Sequence, residues 1–293
     1  MIIARVSIML KANTLIWKVG FHTWSFVSMS LKEALRHIRD AGYTEVEITA
    51  DKTHLDPRVF PPSSIPYLKS LLKDLGLHPN SVHAPIKDVD IAAQNPEVRD
   101  KSIKLIMKTL EYCRSIECPI LVLHPNGEEG ASLKPYDSKK NLIDSLTQIV
   151  KKAEDLGVKI AIENMIDVKG IRFGSRISHI KEVIESIGSP SLGICFDTGH
   201  VNLFADPNIR MDEEIFEAGE HLMTLHVHDN NGIKDEHKPP GDGSINWSQV
   251  IEALKKVNYT GVFMMEIQES DDPDTTAKRC LETATKMIMN AGR

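Results

Sequence analysis

Carboxylates and imidazoles recur at the ends of short apolar runs throughout this 293-residue chain. Glu47 lies at the end of the run 45–48, His83 closes 80–83, His124 follows 119–123 and Glu163 follows 158–162. Asp197 follows 192–196, His226 and His228 end 222–228, and Glu266 ends 261–266, while the first run ends at His22. If each run is a strand of one parallel sheet, these side chains converge on a single rim. Glu163, Asp197 and Glu266 cannot be desolvated together without a compensating cation. Three carboxylates joined by the imidazole of His226 suit a divalent ion such as Mn²⁺, Co²⁺, Mg²⁺ or Zn²⁺.

A second layer comprises His83, His124, His200, Asp235 and His237. Asp197-Thr-Gly-His200 and Asp235-Glu-His237 each bring two ligand types together across a few residues. They would complete a site of two or three ions, or else contact substrate. His226 and His228 face the same side of their strand. His226 is taken as the inner ligand and His228 as a rim contact, with the reverse order open. Glu47 is expected at the substrate, or in a structural pair with a neighbouring strand. Lys234 belongs to the strand-seven loop and is a candidate substrate contact. Lys169, Arg172 and Arg176, spaced by Gly170 and Gly174, could hold a phosphate or lie in a solvated loop. Trp24, Phe21 and Phe26 follow the first strand and offer an apolar wall for a sugar face, or core packing. His54, His78, His179 and His221 fall in expected loops or on helix surfaces and receive no role.

The elements that must position these residues alternate regularly. Amphipathic helices are predicted over 31–40, 64–75, 97–116, 138–156, 178–187, 212–220, 247–257 and 274–291. Ser30-Leu-Lys-Glu33 is a capping box at the first, and Gly42, Gly76 and Gly157 mark helix ends. Val- and Ile-rich strands without clean alternation fit burial on both faces. Eight strands alternating with eight helices predict an α/β fold, a single (β/α)₈ TIM barrel over 17–293 with an N-terminal extension over 1–16. The segment 230–246, rich in Gly, Pro, Asp and His, should lie over the barrel mouth.

The chain is 41% hydrophobic and 26% charged, with 35 Lys and Arg against 41 Asp and Glu. A net charge of −6 does not favour polyanions through bulk electrostatics. Four cysteines without a CxxC pair suit a reducing cytoplasm, and no apolar run is long enough to span a membrane. A homo-oligomer is left open, since one chain does not reveal its oligomeric state.

The segments SVHAPI (81–86), LVLHPNG (121–127), IAIEN (160–164), GICFDTGH (193–200), LHVHDNNGIKDEHKPPGDGSINW (225–247) and FMMEI (263–267) resemble the xylose-isomerase-like barrel superfamily. It includes sugar (phosphate) isomerases and epimerases and the endonuclease IV class of abasic-site nucleases. The resemblance implies a metal-dependent isomerase or epimerase of a small sugar or sugar phosphate, working by proton transfer through an enediolate. Glu163 and Glu266 would be the acid and base, in an order the sequence leaves open. Asp197 and His226 would fix the metal, while His200, His237 and Glu47 would orient hydroxyls. The alternative is an endonuclease IV-type phosphodiester hydrolase acting on abasic DNA. All nine ligand types of that branch are matched, by His83, His124, Glu163, Asp197, His200, His226, Asp235, His237 and Glu266, so one to three ions are implied. Two departures favour the sugar branch. Ile86 stands where the nucleases have tyrosine, and the acidic segment Glu45-Val-Glu47-Ile-Thr-Ala-Asp51 replaces a basic, aromatic DNA-probing loop. The characterised ketose 3-epimerases usually place an arginine in the strand-seven loop, where this chain has Lys234.

Overall fold

The computed structural model describes residues 17–51, 54–167, 172–204, 206 and 208–290. The expected extension over 1–16, Lys169, Gly170 and the last predicted helical residue, 291, lie outside the described residues. Eight strands run in chain order: β1 (Val19–His22), β2 (Glu45–Thr49), β3 (His78–His83), β4 (Ile120–Leu123), β5 (Lys159–Glu163), β6 (Leu192–Asp197), β7 (Leu222–His226) and β8 (Phe263–Met265). They form one sheet in the order β7-β6-β5-β4-β3-β2-β1-β8, and every pairing is parallel. A parallel bridge between Val227 and Met265 joins the two ends and closes the barrel.

The helices are α1 (Leu31–Ala41), α2 (Ile65–Leu75), α3 (Pro96–Ser115), α4 (Glu128–Ser132), α5 (Pro135–Leu156), α6 (Ile177–Ile187), α7 (Thr198–Asn202), α8 (Met211–Ala218), α9 (Trp247–Lys256) and α10 (Pro273–Asn290). The eight predicted helices are present with ends shifted by at most three residues, while the short α4 and α7 have no counterpart in the apolar periodicity. Both are single turns in loops above the sheet, too short to show a repeating face. The capping box at Ser30 and Glu33 forms, and α1 stops where Gly42 adopts φ 105°. That conformation is costly for residues with a Cβ.

Packing follows the alternation of strand side chains. One face of each strand, including Ile48, Val82, Leu121 and Ile162, packs outward against Leu35, Ile106, Leu110 and Ile149 from the helices. The other face points into the barrel, where Val122, Ala161 and Cys195 form a separate small layer. Each lies two residues before a predicted ligand: His124, Glu163 and Asp197. Strand side chains repeat with a period of two, so those ligands form the next layer up, at the C-terminal mouth.

Candidate metal centre

β5, β6, β7 and β8 deliver the four predicted core ligands to one point. Single ligand atoms of Glu163, Asp197, His226 and Glu266 all lie within 4.8 Å of one another, and all four residues are buried. His226 Nδ1 faces Glu266 Oε2 at 3.3 Å, Glu163 Oε2 at 3.4 Å and Asp197 Oδ2 at 4.0 Å. Glu163 Oε2 also meets His83 Nε2 at 3.2 Å and His124 Nε2 at 3.3 Å. Asn164 clamps the next strand: its Nδ2 donates to Asp197 O at 3.1 Å, and its Oδ1 accepts from Asp197 N at 2.8 Å. The asparagine following Glu163 in IAIEN was the available signal for this role.

A second grouping lies beside the first. His200, His228, Asp235 and His237 also bring ligand atoms within 4.8 Å of one another. His237 Nε2 meets Asp235 Oδ2 at 2.8 Å, and His200 Nε2 meets the same oxygen at 3.6 Å. This corrects the placement of His228. It is not at the rim but fully buried, with Nε2 3.0 Å from Asp197 and its ring stacked on His237 at 3.8 Å. Both histidines of the Leu-His-Val-His run therefore enter ligand groupings. The close fit depends on Gly199, where an added Cβ would fall 1.9 Å from His228 Cε1.

The long loop after β7 is held by a residue the sequence reading passed over. Asp229 is fully buried and accepts from the backbone N–H groups of Asn230, Gly241 and Ile245 and from Trp247 Nε1, at 2.9–3.2 Å. An acidic residue followed by a Gly/Pro-rich loop and a tryptophan was its sequence signature. Replacing it would leave the three buried donors of Asn230, Ile245 and Trp247 unpaired, each costing roughly 1–3 kcal/mol. Asp229→Ala is therefore expected to lower unfolding stability in urea by about 3 kcal/mol or more. The loop carrying Asp235 and His237 should loosen with it.

A cavity of about 220 Å³ opens onto these ligand groupings. Trp24, Ile86, Met165 and Ile166 form an apolar wall, and His22, His83, His124, Glu163, His200, Asp235, His237 and Glu266 face it with Thr49 and Asp51. Trp24 thus lies where a sugar-facing wall was expected, its ring 5.0 Å from that of His237, whereas Phe21 and Phe26 are core residues. His22 joins the centre with its ring between Glu47 Oε1 (3.6 Å) and Glu266 Oε1 (3.4 Å). Its strand-end position was the signal for a role.

Other candidate substrate contacts lie away from the cavity, and Glu47 takes the structural pairing with a neighbouring strand that was its alternative. Glu47 has no exposed surface and does not line the cavity, because it sits one layer down the barrel against His226 and Ser81. Lys234 points to solvent on the outer loop. Arg172 is turned away to Asn126, donating to its Oδ1 at 2.8 Å and its O at 3.2 Å. Arg176 pairs with Glu214 at 2.9 Å, so these two arginines do not form a phosphate cradle. His54 is not a loop-surface residue but is buried against Thr23 Oγ1 and Met29 O, each at 3.1 Å.

The donor set fits a divalent cation. Glu47, Glu163, Asp197 and Glu266 are four buried carboxylates in one barrel mouth, and burying each ion costs several kcal/mol unless it is paired. His226 Nδ1, His228 Nδ1, Asp235 Oδ1 and both ring nitrogens of His22 are buried without a hydrogen-bond partner. A cation would take up the lone pairs of such orphaned oxygens and unprotonated ring nitrogens. Without one, protons on the imidazoles balance the charge. Burial alone would raise Glu163 and Glu266, but His226, with His124 for Glu163 and His22 and His237 for Glu266, holds both well below the usual carboxylate range. Burial would lower His200, yet Asp197, Asp235 and Glu163 bring it up to about 10. His237 rises to about 9, since Asp235 and Glu266 outweigh its burial.

Known proteins resemble this chain in sequence and fold. The family model described as a xylose isomerase-like TIM barrel matches residues 35–286. An uncharacterized protein of Methanocaldococcus jannaschii is 33% identical over 251 residues, covering 85% of this chain and 83% of its own length. A probable endonuclease 4 of Aquifex aeolicus is 26% identical over 196 residues, 63% of this chain and 68% of its own. The crystal structure of a D-tagatose 3-epimerase-like protein superposes with a TM-score of 0.80 and 29% identity, covering 94% of this chain and all of that one.

Proposed function

The chain belongs to the xylose isomerase-like TIM barrel family, and within it we propose a cation-dependent isomerase or epimerase of a small, uncharged sugar. The observation that carries this reading is the pairing of Glu163 and Glu266. They come from strands on opposite sides of β7 and β6, share one ligand cluster, and both line one small cavity. A bound divalent ion would polarise a carbonyl and offset the negative charge that develops on its oxygen. Glu163, Asp197, His226 and Glu266 are the residues that would hold it. One glutamate takes the proton from the carbon beside the carbonyl, and the other returns a proton to the opposite face. His200 and His237 would donate to sugar hydroxyls, while Trp24 and Met165 would cover the apolar ring face and exclude water.

Size and charge favour a free monosaccharide over a phosphorylated one or a DNA strand. A cavity of about 220 Å³ holds a small ligand, and no lysine or arginine lines it among the described residues. Asp51 at its wall adds repulsion for a phosphate. The endonuclease-like reading keeps one specific support: His83/Glu163/His226 and His200/His228/Asp235/His237 form further ligand groupings beside the central one. The two readings separate in one experiment. Protein loaded with Mn²⁺, Co²⁺ or Zn²⁺ is incubated in D₂O with ketopentoses and ketohexoses, free and phosphorylated, and in parallel with an abasic-site duplex. We expect deuterium at the carbon beside the carbonyl of a free ketose and no strand nicking. Chelator-sensitive nicking without deuterium uptake would reverse the assignment.

A further inference from the structure

Glu47 is a fully buried carboxylate that neither the cavity nor the proton-transfer scheme uses. Its Oε1 lies 2.7 Å from His226 Nε2, and its Oε2 accepts a short hydrogen bond from Ser81 Oγ, its register partner on β3. Both oxygens are therefore engaged below the site. On the other side of the same imidazole, Nδ1 has no hydrogen-bond partner and is aimed at Glu163, Asp197 and Glu266. A carboxylate on one ring nitrogen keeps the proton there and leaves the lone pair of the other nitrogen for a cation.

We propose that Glu47 is the positioning residue of the cation site: it fixes the tautomer and orientation of His226, so that Nδ1 faces the three carboxylates, and Ser81 in turn holds Glu47. The inference rests on the reading of that cluster as a cation site. His22, Glu47 and Glu266 also form a grouping that could itself hold an ion. Against that, Glu47 Oε1 is already at hydrogen-bond distance from His226, while His22 Nε2 stands further off at 3.6 Å.

The test measures cation binding rather than turnover. The full chain is stripped with chelator and titrated with Mn²⁺ and Co²⁺, recording stoichiometry and Kd for wild type, Glu47→Gln, Ser81→Ala, His226→Asn and the Glu47→Gln/His226→Asn double variant. Thermal melts of the stripped proteins confirm that each is folded. Glu47→Gln should keep the wild-type stoichiometry while its tightest Kd weakens roughly 10- to 100-fold. Ser81→Ala, which leaves every proposed ligand in place, should weaken it in the same direction by less. In the His226→Asn background, Glu47→Gln should have no further effect, a coupling that a merely structural role would not produce. A wild-type Kd, within about twofold, in folded Glu47→Gln and Ser81→Ala overturns the proposal. So does the loss of one whole equivalent in Glu47→Gln with the remaining Kd unchanged, since Glu47 would then be a ligand. If wild type binds no divalent ion, the cation reading itself fails and takes this inference with it.

Discussion

Glu163→Gln and Glu266→Gln should each lower the rate of ketose epimerisation by roughly 10²- to 10⁴-fold. Glutamine keeps the size of the side chain and one acceptor oxygen but can neither accept nor deliver a proton at the required basicity. In the proposed mechanism the two glutamates would act on different faces of the same carbon, so their single variants should fail differently. In the substrate direction where the substituted residue is the base, exchange is abolished. In the direction where it is the acid, some exchange through the remaining glutamate should persist without inversion, which assigns the two roles. Lys234→Ala serves as the comparison, since its side chain points to solvent away from the cavity. Its rate should stay within about twofold of wild type, as for most surface substitutions. Undiminished exchange in both glutamine variants would reject carbonyl–enediol chemistry at this site.

Removing the cation should have the next largest effect, on stability as well as rate. A ligand that binds only the folded chain adds about 4 kcal/mol when present at a thousand times its Kd. For a domain of this size that corresponds to a melting shift of roughly 8–16 °C, at about 2–4 °C per kcal/mol. Chelation should therefore lower the melting temperature by that order, and re-addition of the ion should restore it. The pH dependence follows from the raised imidazoles. His200 and His237 titrate near 10 and 9 in the folded chain without a cation, against about 6.5 for an ordinary histidine. Their contribution to stability is present in full below about pH 6.5, and it is lost as pH rises through 9 to 10. The stripped protein should melt progressively lower between pH 7 and pH 10. The loaded protein should be flatter, because the ion takes the place of those protons, and loading at pH 7.5 should release protons measurable with an indicator dye. A melting curve unchanged by chelation would remove the cation from the account.

Much of this molecule is legible in its sequence. Apolar runs of four to seven residues, each followed by an amphipathic helix, specify parallel βα units, and the barrel found here has its strands where those runs lie. The clustering of Glu163, Asp197, His226 and Glu266 was equally legible, because a polar residue ending a buried strand has few places to go other than the mouth. Where the reading failed, the missing information was depth and not identity. Glu47 and His228 carry the right chemistry, yet strand register put Glu47 beside Ser81 one layer below the cavity, and Gly199 opened the space that draws His228 inside. Asp229 was overlooked because its four partners are brought together only when the loop folds back over it.

The sequence by itself determined which side chains ride at the strand ends, since strand periodicity and helix alternation are local properties of the chain. Only the tertiary structure decided which of their atoms meet. Whether a carboxylate touches a substrate, a cation or the back of a histidine depends on barrel closure and strand register, which relate residues such as Glu47 and His226 that lie 179 positions apart.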